Sequence, residues 1–141
     1  MFDWWHCESF CTLIILLILN LMIENFGIGI DIVHIKKFEI MNYSKKSSFY
    51  EKTFLPSEIE YCLKFKKPEQ HFAGKFAIKE SVKKSIDDPI SFLDIETFHV
   101  ESKLKIKLCG DWKKKYTLLG SISHEKDYAI GMVICEKIDN D

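Results

Sequence analysis

The chain has 141 residues, 47% of them hydrophobic and 29% charged, with a formal net charge of −1. That suits one globular domain and excludes a disordered chain or a protein held to nucleic acid by bulk positive charge. All 20 basic residues are lysine, so any phosphate must be met by ammonium groups, helix N-termini or backbone amides, not by bidentate guanidinium forks.

Residues 1–21, MFDWWHCESFCTLIILLILNL, differ from everything after them. The apolar run from Leu13 to Leu19 is too short to span a bilayer, and the acidic Asp3 and Glu8 are wrong for a signal peptide, which needs a basic start. We expect this segment to lie outside the native domain, which then begins at Met22 and covers residues 22–141. Five cysteines, Cys7, Cys11, Cys62, Cys109 and Cys135, form no CxxC pair, as expected of buried or free thiols in a reducing, cytoplasmic setting. No stable membrane insertion is expected.

Phe26 to Ile35 alternates as a strand does. Ile28, Ile30 and Ile32 point one way, and Gly29, Asp31 and Val33 the other. Lys36 to Lys46 reads as a short amphipathic helix or turn with a basic face. Pro56 and Ser57 open a helix, with Ser57 as cap and Glu60 at capping-box spacing. Pro68 starts a longer helix to about Ile86, stopped by Asp87, Asp88 and Pro89. Residues 93–100 and 103–108 form a hairpin joined by Glu101 and Ser102. Residues 110–115 read as a polar turn, and 118–123 and 128–135 as a second hairpin. The order of strand, helices and then strands predicts an α+β fold with an antiparallel sheet packed on the long helix.

The long helix carries the sharpest chemical signal. Helical periodicity sets Glu80 among Phe72, Ala73, Phe76 and Ala77, with Lys84 one turn later, and a carboxylate on an apolar face is costly unless paired or bound to a metal. Asp31 leaves a strand beside Gly29. Two such carboxylates supply the hard oxygen donors that Mg2+ takes, though two surface acids have the same spacing. Lys75, Lys79 and Lys84 can meet a polyphosphate, or they form an ordinary solvated helix face. Ser123 and His124 end a strand where they can bind phosphate. As neighbours on a strand they point to opposite faces, which argues against a nucleophile pair.

Four segments, GIGIDIVHIKKFE (27–39), FLPSEIEYC (54–62), FAGKFAIKESVKKS (72–85) and SISHEKDYAIGMVI (121–134), together resemble the holo-acyl-carrier-protein synthases, the small type of 4′-phosphopantetheinyl transferase. The resemblance implies an α+β homotrimer with active sites between subunits. It also implies transfer of 4′-phosphopantetheine from coenzyme A to a serine of an apo acyl-carrier protein. By position, Asp31 and Glu80 match the Mg2+ ligands, Glu80 and Lys84 the catalytic residues, and Lys75, Ser123 and His124 the coenzyme-binding ones. Lys36 and Lys37 match a basic segment that faces the acidic carrier. Lys37 and Lys75 stand where the family commonly has arginine, and residues 1–21 have no counterpart. The alternative is a non-catalytic module that binds coenzyme A or a nucleotide. Nucleic-acid binding is disfavoured, because the near-neutral chain has no basic stripe with stacking aromatics.

Overall fold

The computed structural model describes residues 4–138. It contains α1 (Trp4–Glu24), β1 (Phe26–His34), α2 (Lys36–Ile40), α3 (Ser47–Thr53), α4 (Pro56–Leu63) and α5 (Pro68–Ser85). A 3-10 turn (Phe92–Asp94) then leads to β2 (Ile95–Val100), β3 (Lys103–Leu108), α6 (Trp112–Lys115), β4 (Tyr116–His124) and β5 (Tyr128–Lys137). The strands make two antiparallel sheets, one ordered β1-β5-β4 and the other the hairpin β2-β3. The fold is α+β, as the sequence predicts.

The long helix α5 is buried on most of its circumference, with β1, β4 and β5 on one side and α2, α4 and β2 on others. Glycine is what lets the sheet approach it. A Cβ at Gly27 would run into the Ser85 carbonyl, one at Gly29 into the Ser81 carbonyl, and one at Gly131 into the backbone of Ala77 and Ile78. The Ser81 hydroxyl then ties the layers together, donating within hydrogen-bond distance of both Ala77 O (2.7 Å) and Gly131 O (2.9 Å).

Two apolar clusters flank this seam. Phe38, Tyr50, Phe54 and Phe72 pack at one end of α5, where the Tyr50 and Phe72 rings meet edge to face at 4.6 Å. Ile78, Val82, Ile95 and Val133 fill the other. Each such buried side chain is worth about 1.5–3 kcal/mol relative to an exposed one. These contacts, more than helix propensity, hold α5 in place.

Several expectations change in detail. Leu55, not Ser57, is the N-cap of α4, and Glu58, not Glu60, closes the box by accepting from Leu55 N–H at 2.8 Å. Pro56 takes the first helical position, which sets the cap two places upstream of the serine, at Leu55. Glu60 instead makes an exposed ion pair with Lys64 at 3.1 Å. The polar stretch 110–115 contains the short helix α6, and α3 forms where the sequence carries no strong periodicity. The first hairpin does turn at Glu101 and Ser102, with φ of 48° and 67°, the left-handed pair that a two-residue turn requires.

The α1 helix runs through Met22 without a break, and Leu13 to Leu19 and Leu21 to Ile23 are all exposed. Among the described residues, no helix is long and apolar enough to cross a membrane. The β1-β5-β4 sheet also has an uncovered side. Ile28, Ile30 and Ile32 are exposed (61–69%), and they pair in register with Ile134, Met132 and Ile130, which are also exposed.

Candidate active site

Asp31 leaves β1 on the glycine side and meets α5. Its carboxylate accepts from Lys84 Nζ at 2.7 Å, and the same ammonium reaches Ile30 O at 3.1 Å. Glu80 lies one turn before Lys84 on that face of the helix, so both carboxylates and the ammonium share the β1–α5 edge. Asp31 pairs in register with Gly131, whose missing side chain lets the strand lie against Ala77 and Ile78, the turn before Glu80.

Glu80 is half-buried and is not the carboxylate enclosed by the core. That carboxylate is Glu58 of α4, which is 1% exposed. It accepts from Lys79 Nζ at 2.6 Å, from Thr97 N–H at 2.9 Å, from the Thr97 hydroxyl at 2.6 Å and from Leu55 N–H at 2.8 Å. Lys79 is fully buried and also donates to Thr53 O and Phe92 O, both at 3.0 Å. Lys75, 2% exposed, donates to Thr97 O at 2.6 Å and to its hydroxyl at 3.0 Å. The solvated-face reading of Lys75 and Lys79 therefore fails, because both ammonium groups are sealed against α4 and β2. Burial lowers the pKa of each lysine, and the nearby Glu58 carboxylate works against that shift.

Beyond its first turn, the open strip of α5 consists of the half-exposed Phe76 and Glu80 and the exposed Lys83 and Lys84. Lys37 lies 5.5 Å from the Phe76 ring centroid and Lys83 lies 4.3 Å from that of Phe92, while the two rings are 5.7 Å apart. Lys36, the residue before Lys37, is also exposed. A basic, aromatic surface thus borders the carboxylate pair.

His124 lines a pocket of about 200 Å³ together with Lys75, at the other end of α5. Ser123 points away from it, on the open sheet face beside Ile130, its partner in register. Spacing alone reveals neither the Glu58–Thr97 network nor the two histidines, His71 and His99, that share this pocket. The available hints are an acid, Glu58, between Leu55 and Ile59, and His71 one turn before Lys75.

Among the described residues, no three His, Cys, Asp or Glu side chains cluster as a metal cage. A cation at the β1–α5 edge would meet the carboxylates of Asp31 and Glu80, with other positions left to water and phosphate oxygens. Two hard oxygen donors and an open side fit Mg2+ and do not fit a closed zinc site.

An α+β domain with a carboxylate pair on the strand–helix edge and a lysine–histidine pocket on the same helix is the frame of a phosphate-handling transferase. The chain belongs to the 4′-phosphopantetheinyl transferase superfamily, whose family model matches residues 27–133. Within it, the chain is similar to the holo-[acyl-carrier-protein] synthase of Mycoplasma capricolum, at 37% identity over 84% of this chain and 99% of the relative. It is also similar to that of Geobacter sp. (strain M21), at 34% over 79% and 98%. Among solved structures, it resembles the Helicobacter pylori holo-[acyl-carrier-protein] synthase in complex with coenzyme A, with 36% identity, a TM-score of 0.65 and coverage of 77% and 99%. The Bacillus anthracis holo-(acyl-carrier-protein) synthase in complex with CoA (3',5'-ADP) has 29% identity, a TM-score of 0.67 and coverage of 78% and 95%.

Proposed function

We propose that this chain transfers the 4′-phosphopantetheine arm of coenzyme A to a serine hydroxyl of an apo acyl-carrier protein, releasing adenosine 3′,5′-bisphosphate. The observation that carries this reading is the Asp31–Lys84 ion pair with half-buried Glu80 one helical turn before Lys84 on α5, next to a basic and aromatic surface. In the reaction the serine oxygen bonds to the β-phosphorus of the coenzyme, and the bond from that phosphorus to the bridging oxygen breaks. Glu80, directly or through one water, takes the serine proton. Lys84, already charged beside Asp31, steadies the negative charge that gathers on the leaving phosphate. Asp31 and Glu80 would hold Mg2+, which when bound neutralises the diphosphate and polarises the attacked phosphorus.

Lys36, Lys37 and Lys83 supply positive charge where an acidic carrier would dock, which favours encounter more than it adds affinity. His124 would face the coenzyme's phosphates with the buried Lys75 ammonium lending charge from behind, and Ser123 would serve the site from the open sheet face. That face, with Ile28, Ile30 and Ile32 exposed in a row, is too apolar to remain in water. A homotrimer that covers it would set Ser123 at a subunit boundary, beside a site shared between copies. The free cysteines Cys11, Cys62, Cys109 and Cys135 are consistent with a cytoplasmic protein. We keep the transferase domain at residues 22–141, supported by a family match that begins at residue 27 and by the exposure of Leu13 to Ile23.

The test is mass spectrometry of an apo carrier protein incubated with coenzyme A and Mg2+. The full chain and a chain beginning at Met22 should both add one phosphopantetheine mass, and Glu80→Gln should not. A folded, oligomeric wild-type protein that modifies no carrier would rule the reading out.

A further inference from the structure

The pocket at the N-terminal half of α5 holds more nitrogen than the roles above use. His71 of α5 and His99 of β2 line it beside Lys75 and His124. His71 stacks on Phe65 with ring centroids 3.7 Å apart, and His99 stacks on Tyr61 at 5.7 Å. Stacking fixes the ring planes and leaves the edges free. None of the hydrogen bonds among the described residues uses an imidazole nitrogen of His71, His99 or His124. Lys75 is the opposite case, because two of its three donors point inward to Thr97. Its charge is felt in the pocket, while the donors left to meet a ligand there are mainly imidazole.

We propose that His71 and His99 contact a phosphate monoester in this pocket and take up protons as it enters. This rests on the coenzyme reading above, since coenzyme A and adenosine 3′,5′-bisphosphate both carry such a group. In the free protein the protonated forms are disfavoured: burial lowers the pKa of His71 most, followed by His124, His99 and Lys75, with Glu69 opposing. His99 is lowered by burial and by Lys75. The remaining charged neighbours are Glu58 of α4 and Glu96 of β2, which act on Lys75; the buried Cys62 thiol of α4 stays neutral. Lys103 and Lys105 of β3 line an adjoining pocket of about 380 Å³ that shares His99. In the free pocket the protonated forms of His71 and His99 are therefore disfavoured next to the Lys75 cation.

A phosphate monoester carries about −1.5 to −2 charges at pH 7 and offers three acceptor oxygens. Its arrival reverses the balance, because each imidazolium gains an opposite charge within contact distance. The sign follows from linkage. Binding raises the histidine pKa values, so binding is tightest below the bound-state values and weakens as pH rises through them. The phosphate's own second proton, near pH 6, sets the lower limit of that window.

Titration calorimetry with adenosine 3′,5′-bisphosphate, in buffers of different ionisation heat between pH 6.5 and 8.5, reads the uptake directly. The wild-type protein should take up protons and lose roughly tenfold in affinity across that range. H71Q/H99Q lacks the two rings proposed to take up protons and should bind about tenfold more weakly at pH 6.5, with most of the slope gone. If the double variant fails to fold, H99Q alone, altering an exposed ring, should still show reduced uptake. Equal proton uptake in wild type and folded variant overturns this inference and leaves the coenzyme reading intact. Absence of nucleotide and coenzyme A binding at every pH overturns both.

Discussion

Lys84 Nζ stands 2.7 Å from Asp31 Oδ1, so the helix supplies the counter-charge for the strand's carboxylate. In the proposed function Asp31 would hold a cation, and Lys84 would meet the phosphate. Asp31→Asn and Glu80→Gln should each lower kcat/KM for carrier modification by about 100-fold or more. Lys84→Met should reduce kcat more than KM. Chelation should stop the reaction and added Mg2+ restore it; turnover that persists in excess chelator would remove the metal from the account.

The second ionic pair is structural. Glu58 and Lys79 are both enclosed, at 2.6 Å, and Glu58 also satisfies two groups of Thr97. Glu58→Ala leaves a buried ammonium without its counter-charge and should cost about 3–5 kcal/mol in urea unfolding. A loss under about 1 kcal/mol would mean that the site relaxes or hydrates far more readily than its burial implies.

Glycine substitutions should separate by what the new methyl meets. At Gly29 it meets the Ser81 backbone, and β1 must move off α5, so Gly29→Ala should fold poorly and lose activity. At Gly120 it meets the flexible end of Ile106, and the cost should stay near the 1–3 kcal/mol of ordinary overpacking. Thermal melts of the two variants compare them directly; equal midpoints would contradict the packing described.

The open sheet face predicts assembly. If the proposed trimer forms through this face, Ile28→Lys with Ile30→Lys should give monomers by light scattering, with most activity lost, since the proposed sites are shared. A wild-type protein that is monomeric at assay concentration would sink the proposed trimer.

Thiol reactivity tests the core itself. Burial is the main factor raising Cys62 to about 12 and Cys135 to about 11, so neither forms appreciable thiolate at pH 8. Native alkylation followed by peptide mapping should mark Cys11 and Cys109 well before these two, which should react only on unfolding. Early labelling of Cys62 would mean that the Phe72 cluster opens.

The sequence by itself determined the elements whose signal is local. Alternation gave β1 and both hairpins, Pro68 and the Asp87–Pro89 stop bounded α5, and four separated segments gave the family. Asp31 was legible because its strand neighbours Gly27 and Gly29 left its side bare. What tertiary structure decided was burial. Periodicity puts Glu80, Lys75 and Lys79 on definable faces of α5, but not which faces are covered. Packing by α4 and β2 enclosed the two lysines and left Glu80 half-open, and only that packing brought Glu58 to Lys79 and His99 to His71. Those pairs join distant parts of the chain, and their energies depend on the water excluded between elements, which no local pattern records.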